Sequence, residues 1–599
     1  FDVLASFASV ESIDDQRLQT ESWTLLDCYT YFVLPEEVDL PAVEADVILA
    51  IEDHLGGSVG DRVAVKLQPL TSIHLHSHLN NEMTVNGDVA YVYTFSAVAF
   101  FLLLIACVNY MNLATARSAT RAREVAMRKV LGARRVDLVR QFLGESLFYA
   151  LVALVLALGL AALFLPGLEA LLGAELSLAV TPMRLLALAG IVAFVALVAG
   201  SYPAFFLSAF EPRKVLAGDL TSGTGGRRFR TALVAFQFVF SVVLIISTLV
   251  VLEQTNYMRS FRLGFDEEHI VMVPVRDVTL RDRYRLVKDE LEKVPNVVGT
   301  TFSAIPLGVE APQIGTTLEG HDERLMIGSM VVDEGFLEVF DQELVAGRNF
   351  SPERESDVTS AFLANEAALG LVGWSPEEAL GRTVDWGFAK QGQIVGVIRD
   401  FHYQPLKFSV KPLLLHLRPI AYHYLWLRIG SGDLAGTMGD LEKTWARLFP
   451  DQPFDYTFLD QEMDQLYRAD ERLGKAFGLF AGLAVLVACL GLLGMISFVA
   501  EQRTREIGVR KAIGAKLQDI LLLLTWQFTR VVLVAVALAI PLAWLLMSNW
   551  LRDYAYRIEL GPGVFLLGGL LAVLIAWATV SFQAARAAAL DPMEALRHE

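Results

Sequence analysis

The chain has 599 residues, is 54% hydrophobic and has a mean hydropathy of +0.45. Soluble domains average about 45–50% apolar residues, and here the excess is gathered in long uncharged blocks, which excludes an all-soluble protein. The formal net charge of −17 arises without an acidic run or tail. The loops between apolar blocks are basic, so the negative excess falls in the larger soluble segments and argues against nucleic acid as their partner. Three cysteines, Cys28, Cys107 and Cys489, imply no intrachain disulfide framework. The chain opens on Phe1 within soluble sequence and without a signal peptide, so it reads as N-terminally incomplete.

Residues 1–88 are soluble in character. His74, His76 and His78 alternate there, and on a strand they would share one face, with Glu82 as a fourth metal ligand. A polar strand leading into the membrane accounts for them more simply, and no metal is assigned. A helix needs about 20 apolar residues to cross a bilayer, and seven stretches qualify. They are Val89–Ala116, Ser146–Leu168, a span within Leu185–Phe210, Thr231–Leu252, Ala476–Ala500, Val531–Leu551 and a span within Leu560–Ala585. Pro541 is expected to kink the sixth, as membrane helices tolerate. None carries a charge at its centre, which weighs against a proton-coupled transporter or a charged channel filter.

Basic residues set the orientation. The loop after the first span holds Arg117, Arg121, Arg123, Arg128, Lys129, Arg134, Arg135 and Arg140. The loops after the third and fifth spans and the C-terminal tail are basic as well, and seven crossings put all four on one side, the cytoplasm. Residues 1–88 and 253–475 then lie outside. Both read as mixed α and β: Ile394–Ile398 and Leu413–Leu417 as buried strands, Asp277–Val294 and Leu434–Leu448 as amphipathic helices, Pro352–Asp357 as a polar loop. Asn365, Glu366, Asp400 and His402 include an acid–His pair without a nucleophile and are read as structural; Trp374, Trp386 and Phe401 are read as core. Arg530 is expected to snorkel to the cytoplasmic interface.

The chain repeats itself. Arg121-Ala-Arg-Glu-Val-Ala-Met-Arg-Lys-Val-Leu-Gly-Ala133 aligns with Arg503-Thr-Arg-Glu-Ile-Gly-Val-Arg-Lys-Ala-Ile-Gly-Ala515, Cys107 aligns with Cys489, and Glu211-Pro212 with Asp591-Pro592. The copies have the same orientation and are parallel repeats. The fourth span opens the second half, so symmetry predicts an equivalent span before Phe1, eight spans in all. Within each basic loop a helix is expected, with Glu124 four residues before Arg128 and Glu506 before Arg510. Val125, Val130 and Leu131 supply its apolar side, and Gly132 or Gly514 supplies the left-handed stop. Positive-inside bias explains the basic residues but not the repeated register; a docking knob for a two-fold partner explains both.

This motif resembles the FtsX-like permease family, the fold of MacB and of the lipoprotein-releasing permeases. Other stretches are similar to the family's larger two-half members: Leu67–His74, Ala106–Ala114 and Ala484–Gly494, and, as in MacB-type periplasmic core domains, Ala346–Phe350, Asn365–Ala368 and Ile394–His402. The resemblance implies a polytopic α-helical membrane protein with α+β extracytoplasmic domains. Its parts would be 1–88, the end of a first core domain; 89–230, a first FtsX-like region; 231–252, a helix opening the second half; 253–475, a second core domain; and 476–599, a second FtsX-like region. It further implies that Arg123, Glu124, Arg128, Lys129 and Gly132, with Arg505, Glu506, Arg510, Lys511 and Gly514, couple to a dimeric ABC ATPase, whose motion the spans relay outward. The sole Gly-Lys pair, Gly474-Lys475, lacks the rest of a P-loop, so ATP chemistry is expected in trans. The expected protein is a non-catalytic bacterial inner-membrane permease without cofactor or metal. It would export lipoprotein, peptide or amphipathic drug, with a periplasmic adaptor left open. The alternative is a signalling subunit that regulates an envelope enzyme.

Overall fold

The computed structural model describes residues 30–35, 37–55, 64–77, 79, 86–116, 118–172, 176–208, 224–275, 283–321, 323–386, 390–502 and 517–588. The chain divides into two units, residues 1–96 and 97–599.

The first unit contains α1 (Leu40–Leu55) and α2 (Leu70–His76), and Glu44 Oε1 accepts from the Leu67 amide at 2.7 Å. The expected strand around the histidines is a helix, entered from Pro69. On a helix, residues two apart point about 200° apart, so His74 and His76 do not share a face. His78 and Glu82 lie outside the described residues.

Then come α3 (Val89–Ala116), α4 (Ser118–Val130), α5 (Arg135–Leu172), α6 (Pro182–Ser208) and α7 (Thr224–Arg259). The last three long helices are α10 (Leu459–Gln502), α11 (Leu517–Leu551) and α12 (Pro562–Ala588). Among the described residues, seven segments are long and apolar enough to cross a membrane, one in each long helix from α3 onward, α4 excepted. Helix α11 runs unbroken through Pro541. In the second half α7, α10, α11 and α12 pack as a bundle around Val242, Ile246, Ala539, Ala543 and Ala572. In the first half α5 lies along α6 and comes close at Gly200, where a Cβ would stand 2.7 Å from Ser146 Oγ. Small residues permit such approach where lipid offers no hydrophobic drive between helices.

Helices α7 and α10 extend beyond the spans read from sequence. Above Leu252 and below Ala476 they form a two-helix stalk, tied by Arg259 to Glu471 at 3.2 Å and to Asp464 at 3.8 Å. The stalk carries a domain of two sheets. The first is antiparallel in the order β11 (Thr457–Phe458), β1 (Ile270–Pro274), β10 (Tyr424–Ile429), β2 (Val297–Ser303). Strand β1 follows α7, β11 runs directly into α10, and the two pair with each other, so this sheet sits on the stalk. Strand alternation sends Val271 and Val273 to one face, under α8 (Tyr284–Leu291) and α9 (Leu434–Leu448), and Ile270 and Met272 to the other. Helix α9 has the expected bounds; of the expected helix 277–294, Tyr284–Leu291 is helical and residues 277–282 are not described.

The second sheet contains β3 (Gln313–Leu318), β4 (Leu325–Val331), β5 (Leu344–Gly347), β6 (Ala361–Asn365), β7 (Thr383–Asp385), β8 (Gln391–Ile398) and β9 (Leu413–His416). Its order is β5-β8-β6-β9-β4-β3-β7, and β7 also pairs with β8. Six strands therefore close into a small barrel, which leaves no free edge between them. Phe362, Ile394, Leu414 and Trp386 pack together in its core. The expected polar loop at 352–357 differs: Glu355–Ser360 is helical, and Asp357 is buried in a two-bond clamp with Arg348 at 2.7 and 2.8 Å. Asn365 caps the helix Glu366–Gly370 and accepts from the Leu413 amide, and Asp400 accepts from the Ala367 amide. Both are structural, as expected. Trp386 and Phe401 are core, and Trp374 packs at its edge beneath the Arg382 guanidinium.

His416 is fully buried in the barrel, 3.0 Å from Ser329 Oγ and against Trp386. Burial, with Lys390 nearby, pushes its pKa down to about 3. A depressed pKa contributes stability above the unfolded value near 6.5, and that stability is lost as pH falls toward 3. Between pH 7 and 4.5 this residue should cost about 3 kcal/mol. Thermal melts at the two pH values should show a shallower acid loss for His416→Leu than for wild type; equal losses would contradict it.

A cytoplasmic docking surface as the candidate functional site

The basic loop after the first span is a helix, α4, which ends where the sequence predicts. Gly132 has φ +96°, with the Gly132 amide bonded to Lys129 O and the Ala133 amide to Arg128 O. No atom lies within 4 Å of a Cβ there, so the backbone angle alone demands glycine. Helix α5 starts at Arg135 and runs through Leu138 and Phe142 into the membrane without a break.

The apolar residues of α4 divide between two faces. Val125 is 2% exposed and packs on Leu138, Phe142 and Ala204. Met127, Val130 and Leu131 are 54%, 61% and 80% exposed, and Val136 beyond the turn is 57% exposed. Residues 127, 130 and 131 stand at i, i+3 and i+4 and share one face. The helix is thus pinned by one apolar face and presents another to water, a candidate surface for a partner.

Its charges are ordered as well. Glu124 pairs with Arg128 at 2.7 Å, Arg128 donates to Gln141 Oε1 at 2.5 Å, and Gln141 donates to Glu145 at 3.1 Å. This chain of contacts leads from α4 onto α5. Exposed pairs contribute little stability, so its value lies in holding α4 rigid against the span. Burial and the Arg135 guanidinium hold Lys129 below the usual ammonium range. Arg123 lies in α4 by backbone, but its side chain is outside what is described; Arg505, Glu506, Arg510, Lys511 and Gly514 fall in residues 503–516, outside the described residues.

At the far end of the spans lies a junction that the sequence did not reveal. Tyr554, in the α11–α12 loop, donates to Asp470 of α10 at 2.7 Å, and the Ala555 amide donates to Lys407 O at 2.9 Å. Gln254 of α7 bridges Tyr556 O and the Ile558 amide, at 2.9 Å each. His402 is wedged between Phe261 and Tyr556, and burial holds it below the usual imidazole range. The barrel's 401–408 segment thus rests on the outer ends of three spans. Only the motif Ile394–His402 pointed at this segment.

The family model for the FtsX-like permease C-terminal region matches twice, at residues 96–212 and 478–592. These two regions of the chain are similar to the FtsX-like permease family. The two matches enclose the two copies of the repeat, and each includes one of the basic loops. The macrolide export ATP-binding/permease protein MacB of Escherichia coli K12 is 30% identical over 152 residues, 24% of this chain and 23% of that protein. MacB of Salmonella typhimurium is 28% identical over 153 residues, with the same shares. The chain thus spans about a quarter of the length of these curated relatives. Among solved structures, the periplasmic region of MacB from Actinobacillus actinomycetemcomitans aligns at TM-score 0.26 and 13% identity, covering 34% of this chain and 94% of that one. The extracellular domain of the transporter YknZ from Gram-positive bacteria aligns at 0.23 and 15%, covering 31% and 97%. The chain is a multi-pass protein of the bacterial inner membrane, with its α+β domain outside the cytoplasm.

Proposed function

We propose that this chain is an FtsX-like permease, the membrane subunit of an ABC transporter, and that a separate ATPase dimer docks on α4 and on its repeat copy at 503–516. The carrying observation is α4 itself: anchored inward by Val125, open outward at Met127, Val130 and Leu131, and wired to α5 through Arg128 and Gln141. The coupling residues are Arg123, Glu124, Arg128, Lys129 and Gly132, with Arg505, Glu506, Arg510, Lys511 and Gly514 in the second copy.

A route outward for force supports mechanotransmission. A shift of α7 against α10 enters the domain at one end of a single strand pair, β1 and β11. A shift of the α11–α12 loop enters through Lys407 and His402. The cargo class we assign is hydrophobic or amphipathic: a lipoprotein, a peptide or a drug, in line with the export named for the MacB relatives.

The test is co-purification and ATPase activity in lipid with the cognate ATPase. Glu124→Lys places a cation beside Arg128 and should lower coupled ATPase activity tenfold or more, with the permease itself still folded. Wild-type coupling in Glu124→Lys and in Glu506→Lys would sink the docking reading.

A further inference from the structure

The two halves meet where α3 crosses α10. Asn109 Nδ2 donates to Val487 O at 2.5 Å, and Asn109 is 7% exposed. A Cβ on Gly491 would lie 2.7 Å from Asn109 Cγ and 3.0 Å from its Nδ2; one on Gly494 would overlap Leu113. A side-chain amide so placed within a membrane bundle is costly without a partner, and here a backbone carbonyl of the opposite helix supplies one.

In the register that aligns Cys107 with Cys489, Asn109 aligns with Gly491 and Asn112 with Gly494. Gly494 lies against Leu113, the neighbour of its equivalent Asn112, while one equivalent pair of the two repeats, Asn109 and Gly491, touches, as a pair on a two-fold axis must. Yet they carry different residues, a knob on the first half and a hole on the second. Two copies meeting through α3 would set Asn109 against Asn109 and overfill the crossing. Two meeting through α10 would set Gly491 against Gly491 and leave a void.

We propose that the Asn109–Gly491 crossing is the seam that commits each half to the other half of its own chain, so that one polypeptide forms the complete two-fold membrane unit. The seam stands on the contacts alone. Its consequence, one permease per ATPase dimer, rests on the proposed function.

The test is a swap in the full-length chain in detergent, read by thermal melting and native mass spectrometry, neither of which needs the ATPase. Gly491→Asn should lower the melting temperature by roughly 5 °C or more, as a large overpacking does. Asn109→Gly combined with Gly491→Asn should regain at least half of that loss, because the amide introduced on α10 then meets the Ile105 carbonyl as the Asn109 amide meets that of Val487. Should Gly491→Asn not accumulate, Gly491→Ala with and without Asn109→Ser runs the same cycle. The wild-type mass should be that of a single chain. A swap no better than the sum of its parts, or a predominant dimer, would overturn the proposal. If the seam holds and no ATPase binds, the functional reading fails and the seam stands.

Discussion

Leu131→Asp is expected to weaken ATPase binding by about 10–100-fold while the permease melts at its wild-type temperature. Leu131 is 80% exposed at the end of α4, beside Met127 and Val130 on one face. Burying a leucine against a partner is worth about 1.5–3 kcal/mol, and each 1.4 kcal/mol is about a tenfold change in affinity. A carboxylate in its place must also be stripped of water. Because Leu131 gives little to its own fold, the effect should fall on binding alone. Val125→Asp is the contrasting variant: Val125 is 2% exposed against Leu138 and Phe142, so its loss should loosen α4 and lower stability as well. Titration of the ATPase onto permease in lipid discs measures both. An unchanged affinity for Leu131→Asp would mean that this face is not where the partner sits.

The division within α4 shows what the sequence could and could not tell. Helix, ion pair and glycine stop are local, and each was legible: Glu124–Arg128 from spacing, Gly132 from its place after the last periodic residue. Val125, Val130 and Leu131 were read as one apolar side. The 3.6-residue period sets Val130 about 140° from Val125 and Leu131 about 240° from it, so the two-faced nature of the helix was available in the numbers. The seven spans were legible because the bilayer imposes length and apolarity on each independently. The histidines at 74 and 76 misled because alternation over five residues fits a strand while local geometry favoured a helix.

What remained hidden depends on distant pairs. The repeat made Asn109 and Gly491 equivalent, but only the fold shows that equivalent positions touch. The barrel's closure needs β7, already the hairpin neighbour of β8, to meet β3 as well, a pairing of Thr317 and Leu318 with Asp385 and Val384 that no local pattern encodes. The stalk was missed because Leu459–Lys475 is polar enough to read as ordinary soluble sequence, whereas it is one helix with the span below it. That continuity bears on the proposed mechanism, in which one helix running from the sheet through the span would carry displacement without a joint.

Under the proposed mechanotransmission, displacement would pass from the stalk's sheet to the barrel, and Asp333 sits where the two sheets join. It follows β4 of the barrel, its amide bonds Phe302 O of the other sheet, and an isolated bridge joins Ser303 to Val332 beside it. Its carboxylate is fully buried and accepts from Lys288 Nζ at 2.7 Å, from the Gly335 amide at 2.9 Å and from Thr301 Oγ1. Asp333→Ala leaves the Lys288 ammonium, with 11% of its side chain exposed, only the more distant Glu334 Oε1 at 4.0 Å, and strips two further donors of their acceptor. Breaking a buried pair from one side costs about 3–5 kcal/mol, enough to lower the melting temperature of the purified permease substantially. The double variant Lys288→Met/Asp333→Leu should be the less damaged protein, since it removes the buried charge as well as its partner. It still orphans Thr301 and the Gly335 amide, at about 1–3 kcal/mol each, so full recovery is not expected. Melts of wild type, single and double variants decide the matter. A double variant less stable than Asp333→Ala would show that the two sheets are joined by shape here and not by the charge pair.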